Sequence, residues 1–257
     1  MKVVGIVQAR MGSSRIPGKV LEPIEGVPMV ERIVARVASA KRIDEVAIAT
    51  STAASDDRLA AFAREHEIAC FRGPVDDIVT RLHDAAAGLE GDIAVRVWGD
   101  CPFIDPDVLD AGIELLVEDA CDFVTNAAYG RRTYPPGLDF EAYGIQTLVE
   151  MNEQCSVVAE REFPVEFVRR RPSRFKMGFL DYGEDLSELH LTVDYPEDLA
   201  AARAICAILE PAGKRAPFAD LLQLLKGRPD LAHAFSARAR DIEYKAYLNG
   251  RATAGAA

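Results

Sequence analysis

The stretch Gln8-Ala-Arg-Met-Gly-Ser-Ser-Arg-Ile-Pro-Gly-Lys19 opens at the end of an apolar run, Val3 to Ala9, made mostly of β-branched residues. A short run of that kind suits a strand buried on both faces of a parallel sheet. Past the Gly/Ser/Pro loop, Met29, Val30, Ile33, Val34 and Val37 recur at helical spacing, which predicts an amphipathic helix up to about Ala40. The alternation continues outward: strand Glu45 to Thr50, helix from about Ser55 to His66, strand Ala69 to Arg72, helix Asp76 to Ala87, strand Ile93 to Trp98 and helix Pro106 to Val117. Strands alternating with helices imply right-handed βαβ crossovers, so the fold class is α/β, a mostly parallel central sheet with helices on both faces. Ligands of such sheets bind beyond the carboxyl ends of the strands, where the first loop lies.

From about Cys121 the rhythm changes. Asp122 to Asn126, Leu138 to Tyr143, Phe175 to Leu180 and Leu189 to Val193 read as strands, and Pro196 to Leu209 as a helix with Pro in its first turn. Helical segments Phe218 to Lys226 and Pro229 to Arg240 follow a polar stretch. The expected organisation is an α/β domain over 1–210 with an insertion at about 127–177, a helical extension over 211–250 and a disordered tail over 251–257.

The 257 residues carry 30 Lys and Arg against 41 Asp and Glu, a net charge of −11. That balance speaks against nucleic acid or an anionic membrane as partner, since both need a broad positive field. The charge is unevenly spread: Lys2, Arg10, Arg15 and Lys19 precede the first acid, Glu22. Five cysteines at 70, 101, 121, 155 and 206 form no C-x-x-C pair, which suits thiols in a reducing cytoplasm. No apolar stretch is long enough to span a bilayer and the start is too short for a signal peptide, so a soluble, cytoplasmic protein is expected.

Small residues in the first loop let backbone N–H groups approach an anion, and Arg10, Arg15 and Lys19 can offset the roughly four charges of a triphosphate. The loop matches neither G-x-x-x-x-G-K-[ST] nor G-x-G-x-x-G, and an exposed basic loop without a ligand is the plain alternative. Asp100 stands just past the end of an apolar strand, where a carboxylate could hold Mg²⁺ together with phosphate oxygens. Asp194 repeats the arrangement before Pro196, although Asp ahead of a helix is also an ordinary cap. Trp98 reads as packing rather than a stacking surface. The run Arg169-Arg-Arg-Pro-Ser-Arg174 reads as a solvated face or a subunit contact. His66, His83, His190 and His233 have no zinc spacing, and no G-x-S-x-G elbow occurs.

Gln8 to Leu21 resembles the signature of the CMP-sugar synthetase (cytidylyltransferase) superfamily, which includes the acylneuraminate and 3-deoxy-manno-octulosonate enzymes, and more narrowly its spore-coat polysaccharide branch. The likeness continues through Phe71-Arg-Gly-Pro-Val-Asp-Asp-Ile-Val-Thr-Arg81, Val95-Arg-Val-Trp-Gly-Asp-Cys-Pro-Phe-Ile-Asp-Pro106, Pro136-Gly-Leu-Asp-Phe-Glu141 and Leu191-Thr-Val-Asp-Tyr-Pro-Glu-Asp-Leu199, and it extends to the helical tail, Phe218 to Tyr247. It implies a Rossmann-like nucleotide-diphospho-sugar transferase fold of the glycosyltransferase A type, a homodimer through the insertion, Mg²⁺ as cofactor, and transfer of CMP from CTP to a sugar or sugar-acid hydroxyl with loss of pyrophosphate.

The resemblance also implies residue roles. Arg10, Lys19 and Asp100 would be catalytic, and Asp100 and Asp194 would hold the metal. The nucleotide would lie against Gln8, Ala9, Arg10, Gly12, Ser13, Arg15, Lys19, Thr50, Ser51, Asp76, Arg81 and Gly99. Asn126, Asp139 and Glu141 would serve the acceptor. The chain departs from the branch at Arg161-Glu-Phe-Pro-Val165, where Arg-Glu-His-Val-Thr is usual, at Trp98 in place of a small residue, and at Pro136. All three lie outside the triphosphate loop and bear on the acceptor. Two alternatives keep the fold: a glycosyltransferase using a nucleotide-sugar, whose usual Asp-x-Asp is lacking in Gly99-Asp-Cys-Pro102, and a nucleotide-binding paralogue without turnover.

Overall fold

The computed structural model describes residues 1–127, 131–210 and 215–236. Strand β1 (Val3–Gln8) lies inside a seven-stranded sheet whose other members are β4 (Glu45–Ser51), β5 (Ala69–Gly73), β6 (Ile93–Trp98), β7 (Phe123–Thr125), β8 (Phe140–Gly144) and β9 (Met177–Phe179). Their order is β5-β4-β1-β6-β8-β7-β9. Strands β5, β4, β1 and β6 are mutually parallel, β8 runs antiparallel to both β6 and β7, and β9 is parallel to β7. The expected mostly parallel α/β sheet is thus present. A small hairpin, β2 (Pro23–Ile24) with β3 (Val27–Pro28), leads into helix α1 (Met29–Val37).

The continuous apolar run of β1 follows from its burial on both faces. Val3, Val7 and Ala9 enter one hydrophobic cluster and Val4 and Ile6 the other. Crossover helices α2 (Asp57–Glu65), α3 (Ile78–Gly88) and α4 (Pro106–Glu118) cover these faces. Helix α3 starts two residues later than the spacing predicts, because the Asp77 carboxylate accepts the Thr80 N–H at 2.9 Å and caps it.

Three helices that the periodicity does not announce lie between 145 and 169: α5 (Ile145–Gln154), α6 (Val158–Glu162) and α7 (Pro164–Arg169). The basic run after them is not simply solvated. Arg169, Arg170 and Arg171 neutralise Glu160 and Glu166, which are buried to 1% and 0% exposure. Helix α8 (Pro196–Leu209) has the predicted bounds, and α9 (Phe218–Gly227) and α10 (Pro229–Ser236) follow. Phe218, Leu221, Leu225, Leu231 and Phe235 join the same core cluster as α1 and α8. The predicted helix beyond Ser236, the remainder of the extension and the 251–257 tail lie outside the described residues.

One expected strand needs correction. Leu189 to Val193 pairs with no strand; it is an extended crossing held by single backbone bonds, Leu191 N–H to Pro136 O at 2.7 Å and Val193 N–H to Asp100 O at 2.9 Å. Its hydrophobic alternation is real, since Leu191 and Val193 are fully buried, but the partners are loops rather than a sheet edge.

Candidate active site

The carboxyl ends of β1, β4 and β6 open onto one edge of the sheet, and the segments beyond them tie to one another there. Asp56, buried before α2, accepts the Met11 N–H at 2.7 Å with one oxygen and the Ser51 N–H at 3.2 Å with the other, which also accepts the Ser51 hydroxyl. Sequence reasoning passed over Asp56, because an Asp at the mouth of a helix looks like any cap. Met11 O then accepts from Ser13 N at 2.9 Å and Gly18 N at 3.0 Å, and Ser13 Oγ accepts from Ile16 N at 3.2 Å. Gly18 has a φ of 74°, which a residue with a Cβ adopts at a cost, and this turn brings the chain back inward at Lys19.

Lys19 is buried. Its Nζ donates to Val193 O at 2.7 Å, Asp100 Oδ2 at 3.1 Å and Asp194 Oδ1 at 3.2 Å. Arg15 donates to the same Asp194 oxygen at 3.1 Å and to Tyr195 Oη at 3.3 Å. Burial opposes the Lys19 charge, yet Asp100 and Asp194 outweigh it and raise the ammonium pKa. Burial likewise opposes the Asp194 charge, and Lys19 and Arg15 overcome it, holding the carboxyl below its ordinary value. Both ions therefore remain charged at neutral pH.

The crossing at 191–193 delivers Asp194, and Asp198 fixes it by accepting the Asp194 and Tyr195 N–H groups at 2.8 Å each. Gly137, with a φ of 106°, lets this crossing pass: a Cβ there would stand 2.6 Å from the Leu191 carbonyl carbon. Gly137→Ala is expected to cost about 2 kcal/mol or more of stability, from backbone strain and the clash together. Urea denaturation measures it, and an unchanged midpoint would refute this account of the crossing.

The remaining predicted residues fall into three groups. Near the loop, Arg10 and Gly12 are exposed, and a Cβ on Gly12 would meet nothing within 4 Å. Ala9 is held by its N–H to Ala49 O at 3.1 Å, and Gly99 packs so tightly on it that a Cβ would stand 2.7 Å from that of Ala9. Buried polar atoms form the second group. Gln8 Oε1, Thr50 Oγ1 and Arg81 Nη1 have no hydrogen-bond partner, and Arg81 is 2% exposed. Burial, with Arg96 and Arg10 nearby, lowers the Arg81 pKa. Asp76 is exposed, whereas its neighbour Asp77 makes the cap.

The third group comprises the residues expected at the acceptor. Asn126 is buried and spends its amide on the backbone, donating to Leu138 O at 2.8 Å and accepting from Phe140 N at 3.1 Å. Glu141 is buried against Arg96, at 2.7 Å, and the Tyr143 hydroxyl. Asp139 pairs with Arg132. Trp98 is half-buried with the Arg96 guanidinium 4.3 Å from its ring centroid, a cation–π contact.

No cluster of three His, Cys, Asp or Glu that could hold a metal occurs among the described residues. The pair Asp100 and Asp194 nevertheless converges on one cation, the Lys19 ammonium. Two hard carboxylates with the other positions left to phosphate and water is the donor set that Mg²⁺ takes, so these residues fit that ion.

A parallel α/β sheet whose carboxyl edge carries a cationic small-residue loop against two carboxylates is the arrangement of a nucleotidyltransferase, and a solved cytidylyltransferase shares this fold. More particularly, the chain belongs to the cytidylyltransferase family, whose model, described as Cytidylyltransferase, matches residues 4–134. It is 30% identical over 241 residues to the spore coat polysaccharide biosynthesis protein SpsF of Bacillus subtilis, covering 90% of this chain and 96% of that one. It is also similar to a cytidylyltransferase structure from Leptospira borgpetersenii, with a TM-score of 0.83 and 30% identity over 90% of this chain and 97% of that one. A CMP:2-keto-3-deoxy-manno-octonic acid synthetase, solved with CTP, shares the fold at a TM-score of 0.61 and 21% identity, covering 80% and 99% of the two chains. Family membership sets aside the glycosyltransferase alternative. No helix among the described residues is long and apolar enough to cross a membrane.

Proposed function

We propose that this enzyme transfers CMP from CTP to a hydroxyl of a sugar or sugar-acid acceptor in surface-polysaccharide biosynthesis, releasing pyrophosphate and using Mg²⁺ held by Asp100 and Asp194. The observation that carries the reading is the Lys19 ammonium seated between those carboxylates at the end of the cationic loop. The relative active in polysaccharide biosynthesis and the neighbour solved with CTP support the pathway and the nucleotide.

In this reading an acceptor oxygen attacks the α-phosphorus, the bond to the bridging oxygen of the β-phosphate breaks, and the hydroxyl proton passes to solvent. Arg10, Arg15 and Lys19 bind and orient the triphosphate, while the open space at Gly12 lets backbone approach it. The pyrophosphate leaving group is neutralised by these cations, so no side chain need form a covalent bond. Mg²⁺, when bound, adds charge neutralisation at the same group. Gln8, Thr50 and Arg81 offer their unpartnered atoms to the nucleoside, and Asp139 would serve the acceptor. A cytoplasmic homodimer through 127–177, where Val157 and Val158 are exposed, completes the proposal.

A thermal-shift comparison of CTP, UTP, GTP and ATP with Mg²⁺, followed by an acceptor screen for pyrophosphate, tests the reading. Stabilisation by CTP above the others is expected, and nucleoside diphosphate as product would overturn it. Chelation gives a separate prediction. Asp100 and Asp194 repel a polyphosphate that no metal bridges, so EDTA should weaken CTP binding about tenfold or more, by calorimetry. Equal affinity with and without EDTA would contradict the metal assignment.

A further inference from the structure

Arg161 lies far from the first loop in sequence. Its guanidinium nevertheless joins two helix ends. On one side Nε donates to Cys155 O at 2.8 Å and Nη2 to Asn152 O at 2.7 Å, which satisfies carbonyls at the C-terminus of α5. On the other side Nη1 donates to Asp77 Oδ2 at 2.8 Å, with Thr80 Oγ1 at 3.2 Å and Asn152 Oδ1 at 3.4 Å. Asp77 is the cap of α3, so the cation holds the carboxylate that sets the start of that helix.

One turn further along α3 stands Arg81. Its side chain returns over the same cap, with Nη2 donating to Val75 O at 3.2 Å and Nε to Asp77 O at 3.4 Å. Its stem lies over Gly73, where a Cβ would stand 2.7 Å from Arg81 Cγ. The remaining Nη1 is buried without a partner, and the guanidinium feels the positive charges of Arg96 and Arg10. A buried guanidinium N–H with no acceptor is costly unless a ligand supplies one. Its aim depends on the 75–77 carbonyls, and these depend on Asp77.

We infer that Arg161 is a positioning residue for nucleotide binding: by clamping Asp77 to the end of α5 it fixes the 75–77 backbone and thereby aims Arg81 at the nucleotide. The inference rests on the proposed CTP reading. It makes the 127–177 segment a support of the nucleotide site as well as a cover for the sheet.

The test is a double-mutant cycle on the full chain, with CTP and Mg²⁺ as the probe in calorimetry. Arg81→Met should weaken CTP by about thirtyfold or more, as loss of a charged hydrogen bond would. Arg161→Met should weaken it about tenfold and raise the KM for CTP, with kcat at saturating CTP within about twofold. The double variant should bind CTP no more weakly than Arg81→Met alone. Should Arg161→Met fold poorly, Asp77→Asn perturbs the same contact from the other side and should show the same non-additivity. Unchanged CTP affinity in a folded Arg161→Met protein, an effect that adds fully to that of Arg81→Met, or an Arg81→Met protein that binds CTP normally would each overturn the inference. Failure of the unmodified protein to bind CTP would instead remove the functional reading beneath it.

Discussion

Asp100→Asn is expected to lower CTP-dependent pyrophosphate release by about a thousandfold or more, equivalent to roughly 4 kcal/mol of transition-state stabilisation. The substitution preserves side-chain shape, and the Asp100 carbonyl that accepts the Val193 N–H is untouched, so the crossing that delivers Asp194 should stay in place. What disappears is the negative charge 3.1 Å from Lys19 and, in the proposed reading, one of the two carboxylates that would hold Mg²⁺. Lys19→Ala should fall by a similar order for the complementary reason: the cation proposed to meet the triphosphate is gone, and Asp100 loses its ion pair while Asp194 keeps Arg15. Pyrophosphate release with a matched acceptor, alongside a melting curve for each variant, measures both. An Asp100→Asn enzyme that is fully active with Mg²⁺ would remove Asp100 from the metal site.

The second large effect is on stability. Glu210, 3% exposed, accepts from Arg32 and from Arg36, the latter at 2.6 Å, and also takes the Ala216 N–H at 3.1 Å. Arg36 donates in turn to Ile104 O at 2.6 Å and Ala216 O at 2.9 Å. The cluster fastens the chain after α8 to α1 and to the β6–α4 loop. It is apolar enough that burial lowers the Arg36 pKa and pushes the Cys206 thiol up to about 12. Glu210→Ala leaves two guanidinium groups buried without their counter-ion, which should cost about 3–5 kcal/mol. Replacing Arg32, Arg36 and Glu210 together by Met, Met and Leu should cost less than the single change, because no uncompensated charge remains. Urea denaturation separates the cases, and a loss below about 1 kcal/mol for Glu210→Ala would show that water reaches the cluster.

Much of this was readable along the chain. The first strand, its loop and the alternation to α4 are local patterns, and burial on both faces is why β1 reads as an unbroken apolar run. Lys19, Asp100 and Asp194 could be named because each follows a recognisable strand or precedes a helix. The insertion was opaque: its short helices carry buried glutamates neutralised by Arg169, Arg170 and Arg171, so charge there signals interior ion pairs instead of surface. Glu141 and Asn126 show a related effect, since a polar residue picked for chemistry can spend its polar atoms holding Arg96 and the 138–140 backbone.

The order of strands and helices, and the cationic loop at the head of the first of them, follow from periodicity and residue type over windows of a dozen residues, because hydrophobic burial is written locally. The meeting of Lys19 with Asp100 and Asp194, 81 and 175 residues away, does not. It depends on an extended crossing with no sheet partner, which passes only because Gly137 lacks a side chain, and on Asp198 holding the turn beyond it. Side-chain contacts at that separation are set by how loops cross after the core has packed, and only the tertiary structure decides them.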